Sequence, residues 1–289
     1  MRTQPLALTA ALGLLLTGLA APVAAETAPA YKIVLPSTQG VVSAASASDE
    51  PESAAEDCYD PENVGKVGQW SGCDGMLIVS TQQLRDAAPF TGDGSLKIGD
   101  YTFKDDDKNI FTGQVTDLSS LFLNSDFNDD IGYWDVSNAT TMLNLFRGTT
   151  QFNQYIGEWD TGNVEDMRAV FLGAEEFNQD IGGWDTGKMR RAWRMLSNTN
   201  KFNQNIGGWD TSNLDSASGI FMNTKAFNQD IGGWDTSNNR HFRDMFRNAE
   251  SFDQDLSGWS VEKMENNENF AQGSPLEGER CPVETWPGC

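Results

Sequence analysis

Five aspartates, Asp135, Asp160, Asp185, Asp210 and Asp235, stand 25 residues apart, each directly after a tryptophan. If each sits on an extended segment, neighbouring segments about 4.8 Å apart would set the carboxylates in a row. Like charges at that spacing call for neutralisation. Ca²⁺ or a cationic partner would supply it. So would the backbone amides of the Asp-Thr-Ser-Asn turn, the ordinary use of Asp beside Ser, Thr and Asn. A second group is less regular: Arg190, Arg191, Trp193 and Arg194 cluster within one copy, and Arg240, Arg243 and Arg247 recur two copies on. Trp and Arg together make protein-binding anchors, against the plainer reading of solvated helix charge.

Enzyme chemistry has little to stand on. The sole histidine, His241, has no repeated Ser or Cys nucleophile beside it, the cysteines lack CxxC spacing, and no phosphate-cradling Gly-Lys-Ser loop occurs. Carboxylates are abundant, yet a catalytic pair needs a unique cleft, which a regular array does not offer. The chain is therefore expected to be non-catalytic.

The elements that position these residues follow from the repeat. Trp134, Trp159, Trp184, Trp209, Trp234 and Trp259 keep a step of 25, as do Phe127, Phe152, Phe177, Phe202, Phe227 and Phe252. The Ile131, Ile156, Ile181, Ile206 and Ile231 column closes with Leu256. A period of this length signals a solenoid whose units bury their apolar faces only against one another. Each copy carries a second apolar set, such as Val164, Met167, Val170 and Phe171, at helical spacing. Between Trp209 and the corresponding set that begins at Leu214, Ser212 or Asn213 is placed to cap that copy's helix. The expected unit is a short strand through Ile, Trp and Thr, a capped short helix, and a return loop through Phe-Asn-Gln. The strands then stack into one parallel sheet with the helices behind it. Thr161, Thr186, Thr211 and Thr236 share a column with Val136 and Val261, so Thr is expected inward and Asp outward. The tryptophans are core, and Asn153, Asn178, Asn203 and Asn228 are expected to form a hydrogen-bonded ladder.

The 289 residues divide into a signal peptide (1–25), a flexible linker (26–56), an N-terminal cap (57–114), the repeat solenoid (115–271) and a C-terminal cap (272–289). Arg2, an apolar run over Leu6–Ala20 and Val23-Ala24-Ala25 make up the secretory signal. No later run approaches the roughly 18 apolar residues of a membrane helix, so the mature chain is expected to have no transmembrane segment. In the cap, Met76–Val79 reads as a strand, Ser80 or Thr81 as the cap of a helix through Gln82–Ala88, and Gly99-Asp100 as a hairpin turn. Lys104–Asn109 reads as a solvated turn, since it lacks the Gly and Glu of a calcium loop. Net charge is −22, which sets nucleic acid and anionic lipid aside as default partners. Cys58, Cys73, Cys281 and Cys289 flank the repeats. In an exported chain they suggest disulfides, the local pairs Cys58–Cys73 and Cys281–Cys289 being the simplest of three connectivities.

The string Phe152-Asn153-Gln154, Ile156, Trp159-Asp160, Asn163-Val164, Met167, Phe171 resembles the repeat of BspA-like leucine-rich repeat surface proteins. Over Val115–Ala271 the resemblance implies an α/β solenoid: a right-handed leucine-rich-repeat-like stack with one short parallel strand and one short helix per repeat. It further implies a secreted or cell-surface setting and a role in adhesion and binding of extracellular or host-surface protein. The alternative is a structural solenoid holding Ca²⁺ on the Asp row. Oligomeric state is not indicated.

Overall fold

The computed structural model describes residues 57–69, 72–87, 97–98, 101–102, 110–283, 285–286 and 289. The signal peptide, the linker, the tip of the expected hairpin and the Lys104–Asn109 turn lie outside the described residues.

The N-terminal part is built from short pieces. Strand β1 (Leu77–Ile78) is followed by helix α1 (Thr81–Ala87). The helix starts on a capping box: Ser80 Oγ accepts from Gln83 N at 3.3 Å, and Gln83 Oε1 accepts from Ser80 N at 3.0 Å. β2 (Lys97–Ile98) and β3 (Tyr101–Thr102) pair antiparallel, as the hairpin reading requires. β4 (Ile110–Phe111) returns to pair in parallel with β1. The Cys58–Cys73 disulfide ties the segment before β1 to the turn that precedes it. Thr116 N donates to Thr81 Oγ1 at 3.1 Å and Gln114 reaches the carbonyls of Cys58 and Asp60, so this part is joined directly to the first copy.

The copies stack on one another, but through a different segment from the one expected. Parallel bridges run Asp117, Thr141, Asp166, Arg191, Ser216, His241, Asn266, one residue per copy. Every other amide that follows donates to the next copy: Asn144 N to Arg168 O at 2.9 Å, Phe146 N to Val170 O at 2.8 Å, Gly148 N to Leu172 O at 2.8 Å. These residues belong to the segment expected to be helical. Among the described residues α1 is the only α-helix, and none occurs in the copies. The reason lies in the backbone. A helix returns each N–H to the carbonyl four residues back, whereas here alternate amides point at the neighbour and the others close three-residue turns, as in Leu145 N to Met142 O at 3.0 Å. Two residues per copy sit in the left-handed region, in the columns Ser120, Asn144, Ala169, Arg194, Gly219, Asp244, Asn269 and Asn124, Gly148, Gly173, Asn198, Asn223, Asn248, Gly273, which no α-helix tolerates. The apolar pattern is nevertheless core: Val164, Met167, Val170 and Phe171 are fully buried.

The expected strand is likewise absent as a paired strand. Trp209 N closes a turn on Ile206 O at 3.2 Å, and Leu214 N closes another on Thr211 O at 2.9 Å. Side chains join the copies here. Trp209 Nε1 donates to Ile181 O at 3.1 Å, and Thr211 Oγ1 donates to Asp235 O at 3.0 Å. Asn213 does not cap a helix; its Nδ2 donates to Gly187 O in the preceding copy at 2.7 Å. The asparagine ladder is present: the amides of Asn153, Asn178, Asn203 and Asn228 each donate to the Oδ1 of the Asn one copy earlier, at 2.8 to 2.9 Å. Between these rungs the aromatic columns stack, with Phe177–Phe202 and Phe202–Phe227 centroids 6.0 Å apart and Trp209–Trp234 at 6.2 Å.

The last copy is covered rather than continued. Trp286 lies edge-on to Phe270 at 4.8 Å and close to Phe242 at 5.4 Å, Arg280 pairs with Asp253, and Cys281–Cys289 closes the chain end. The apolar surface a terminal copy would expose is thereby buried.

Candidate binding surface

The Asp row points outward, and its carboxylates are used by their own turns. Oδ1 of Asp160, Asp185, Asp210 and Asp235 accepts the amide two residues on, at 2.9 to 3.1 Å. Asp135 accepts both N and Oγ of Ser137, and Tyr59 OH donates to its other oxygen. Hydrogen bonds from Ser212 and Ser237 hold the Asp210 and Asp235 carboxyls below the usual carboxylate value. The charge of Asp235 works weakly against this at Asp210, so the row does feel its own repulsion. Roughly six to eight oxygens must converge to bind Ca²⁺. Among the described residues no three His, Cys, Asp or Glu side chains are grouped to hold a metal ion. With Oδ1 of each carboxylate already taken by its own turn, adding Ca²⁺ or a chelator to the folded chain is expected to leave its melting temperature unchanged. A rise on adding Ca²⁺ would favour the cation reading, because a ligand of the native state must stabilise it.

A second carboxylate column escaped the sequence reading. Asp130, Asp180, Asp230 and Asp255, with Asn205 between them, accept the amide two residues on at 2.9 to 3.0 Å. Asn205 doing the same task as the aspartates was the available signal that this column is turn chemistry.

Trp193, Arg194 and Arg243 are brought together, while Arg190 and Arg191 lie apart from them, all on the bridged segments and not on helices. Trp193 is 43% exposed, against 3 to 5% for the columnar tryptophans. It lies outside the core because its position, two residues past the bridge, alternates outward. The Arg194 guanidinium stacks 4.9 Å from its ring centroid. One copy on, the equivalent positions hold Ser218 and Gly219, and two copies on they hold Arg243 and Asp244. Small residues between large ones leave a notch of about 320 Å³, walled by Trp193 and Arg194 on one side and Arg243 and Asp244 on the other. Arg243 is held at 3.2 Å by Asp244 and at 3.4 Å by Glu268. Arg191 leans on Asp166 at 3.4 Å, whose carboxyl burial would push up, but which Arg168 and Arg191 hold below its ordinary value. Arg190 and Arg194 make no ion pair among the described residues.

Beside the notch runs a groove of about 750 Å³ lined by Glu165, Lys188, Arg190, Asp215, Arg240 and His241, among others. Reading the copies as helices hid it: on a helix Arg190 and Arg191 diverge, whereas here the one flanks the groove and the other forms the bridge.

No helix of the described residues is long and apolar enough to cross a membrane. No curated protein and no solved structure matches the chain. A family model does, over residues 98–202 and again over 181–278, together more than half of the sequence. The chain thus belongs to the family described as "Mycoplasma protein of unknown function, DUF285".

Proposed function

We propose that this chain is a secreted or surface-exposed, non-catalytic repeat protein that binds other proteins in adhesion, on a leucine-rich-repeat-like solenoid. The observation that carries the reading is the Trp193 notch. In a chain that buries its columnar Trp and Phe side chains, one tryptophan among the described residues is left outside, flanked by guanidinium groups and facing a gap one copy wide. Trp and Arg in desolvatable pockets dominate binding energy at protein interfaces. The rest of each copy is committed to core, ladders and turns, so the residues that differ between copies are the ones free to choose a partner. Two disulfides and the signal-like N-terminus support an extracellular setting. The repeat's likeness to BspA-like surface proteins supports adhesion.

The test is binding of the mature chain to a panel of purified extracellular-matrix and secreted proteins, read by interferometry. Trp193→Ala is expected to weaken a bound partner by about 30-fold or more, the effect of a hot-spot truncation near 2 kcal/mol, without shifting the melting temperature. Binding to no member of the panel, or binding unmoved by both Trp193→Ala and neutralisation of Asp160, Asp185, Asp210 and Asp235, would count against the reading.

A further inference from the structure

One exposed column alternates in sign along the stack: Glu165, Arg190, Asp215, Arg240, Glu265. Each amide donates to the carbonyl of the residue before it in the column, at 3.0 Å for Arg190, 3.1 Å for Asp215 and Arg240, and 2.8 Å for Glu265. The five charges therefore follow one another at the spacing of paired strands, about 4.8 Å. Within the column only Arg240 and Glu265 close as an ion pair, at 2.8 Å. Glu165, Arg190 and Asp215 form none among the described residues, and they line the groove of about 750 Å³ together with Arg240.

We propose that this column is a self-association face, on which a second copy of the chain packs antiparallel about a twofold axis passing between Arg190 and Asp215. Two arguments single out a second copy. The first is pitch. An extended peptide presents side chains to one side every 6.6 Å or so, and a helix every 5.4 Å or so. Against charges repeating at about 4.8 Å, an extended peptide falls half a repeat out of phase by about the second of them and a helix by about the fourth. A second stack of the same copies matches that pitch by construction. The second is sign. A twofold interface applies the same patch to itself. The order minus, plus, minus, plus, minus puts like against like if the axis passes through Asp215. Shifted half a step, the axis sets Arg190 against Asp215 and Glu165 against Arg240, and both again by symmetry. Shifting the other way would use Glu265, which Arg240 already holds. Elsewhere the chain's charge of −22 keeps two copies apart, so a face whose signs alternate is where they can meet.

Sedimentation velocity of the full-length mature chain at about 0.15 M salt, where screening reaches about 8 Å, tests this over a hundredfold range of concentration. A concentration-dependent monomer–dimer equilibrium is expected. Arg190→Asp and Asp215→Arg should each weaken it by about tenfold or more, and the double reversal Arg190→Asp/Asp215→Arg should restore it. Thermal melts of the variants confirm that the fold is kept, since Arg190 is exposed and Asp215 half-exposed. A chain that stays monomeric throughout overturns the proposal, as does a double reversal that fails to rescue. Rescue by Asp215→Arg/Arg240→Asp instead would overturn the assigned axis.

Discussion

Replacing Phe202 with alanine is expected to destabilise the chain by about 3–5 kcal/mol, the range for a fully buried phenylalanine. Phe202 has no exposed surface and lies between Phe177 and Phe227, with ring centroids at 6.0 Å on each side. The cavity cannot close by sliding the copies together. Asn203 N is fixed to Asn178 Oδ1 at 2.9 Å and Asn228 N to Asn203 Oδ1 at 2.9 Å, so the separation of the copies is set beside the vacated ring. A site that cannot collapse sits at the upper end of the range. Copies contact only their neighbours in such an array, so the loss falls on the two junctions that flank Phe202. Denaturant unfolding should register it as a lowered midpoint, with Trp193→Ala as the control expected within about 0.5 kcal/mol. A Phe202→Ala cost below about 1 kcal/mol would mean that the aromatic column does not hold the copies together.

The second large effect separates two adjacent glycines. A methyl group on Gly207 would lie 2.4 Å from the carbonyl oxygen of Asp230 in the next copy, whereas one on Gly208 meets nothing within 4 Å. The obstacle at Gly207 is backbone, which no side-chain rotation relieves. Gly207→Ala is therefore expected to cost about 1–3 kcal/mol or more, and Gly208→Ala to stay within about 0.5 kcal/mol. Gly132, Gly157, Gly182 and Gly232 meet the same carbonyl at 2.3 to 2.6 Å. The sixth copy carries Ser257 there, where no further copy of the same kind follows. Equal melting temperatures for the two alanine variants would refute the close approach.

The same residues show what a sequence conveys and what it withholds. Phe, Ile, Trp and Thr were legible as inward columns, because a fixed period and a shared Val position constrain burial directly. The asparagine ladder was legible for the same reason. The local conformation was not. Val164, Met167, Val170 and Phe171 fit a helical face by spacing, yet an apolar set at that spacing fits equally a chain of turns whose alternate amides leave for the next copy. The informative signal was the pair of left-handed columns: in the first, Asn144, Gly219, Asp244 and Asn269 are residue types that accept positive φ. Its other members, Ser120, Ala169 and Arg194, do not announce it, whereas the second column, Asn124, Gly148, Gly173, Asn198, Asn223, Asn248 and Gly273, is Asn or Gly throughout. The Gly-Gly pairs looked alike in sequence, and only the carbonyl facing the first of each distinguishes them. At the surface, the cluster around Trp193 was visible as composition. Its notch was not, because it is made by what Ser218 and Gly219 lack.

The rungs have one more consequence. Asn178 reaches Asn153, Asn203 reaches Asn178 and Asn228 reaches Asn203, always across 25 positions. The indole of Trp209 and the hydroxyl of Thr211 bridge offsets tied to the same count. A single residue inserted between Phe152 and Phe252 would put out of step only the rungs that span it, because the copies beyond keep their spacing to one another, as they do after the 24-residue step from Asp117 to Thr141. Removing a whole copy would leave each remaining rung with an equivalent mate. The sequence behaves like a text with a fixed line length. Lines can be added or struck out, and a letter slipped into one disturbs the joins to that line while those below stay aligned with each other.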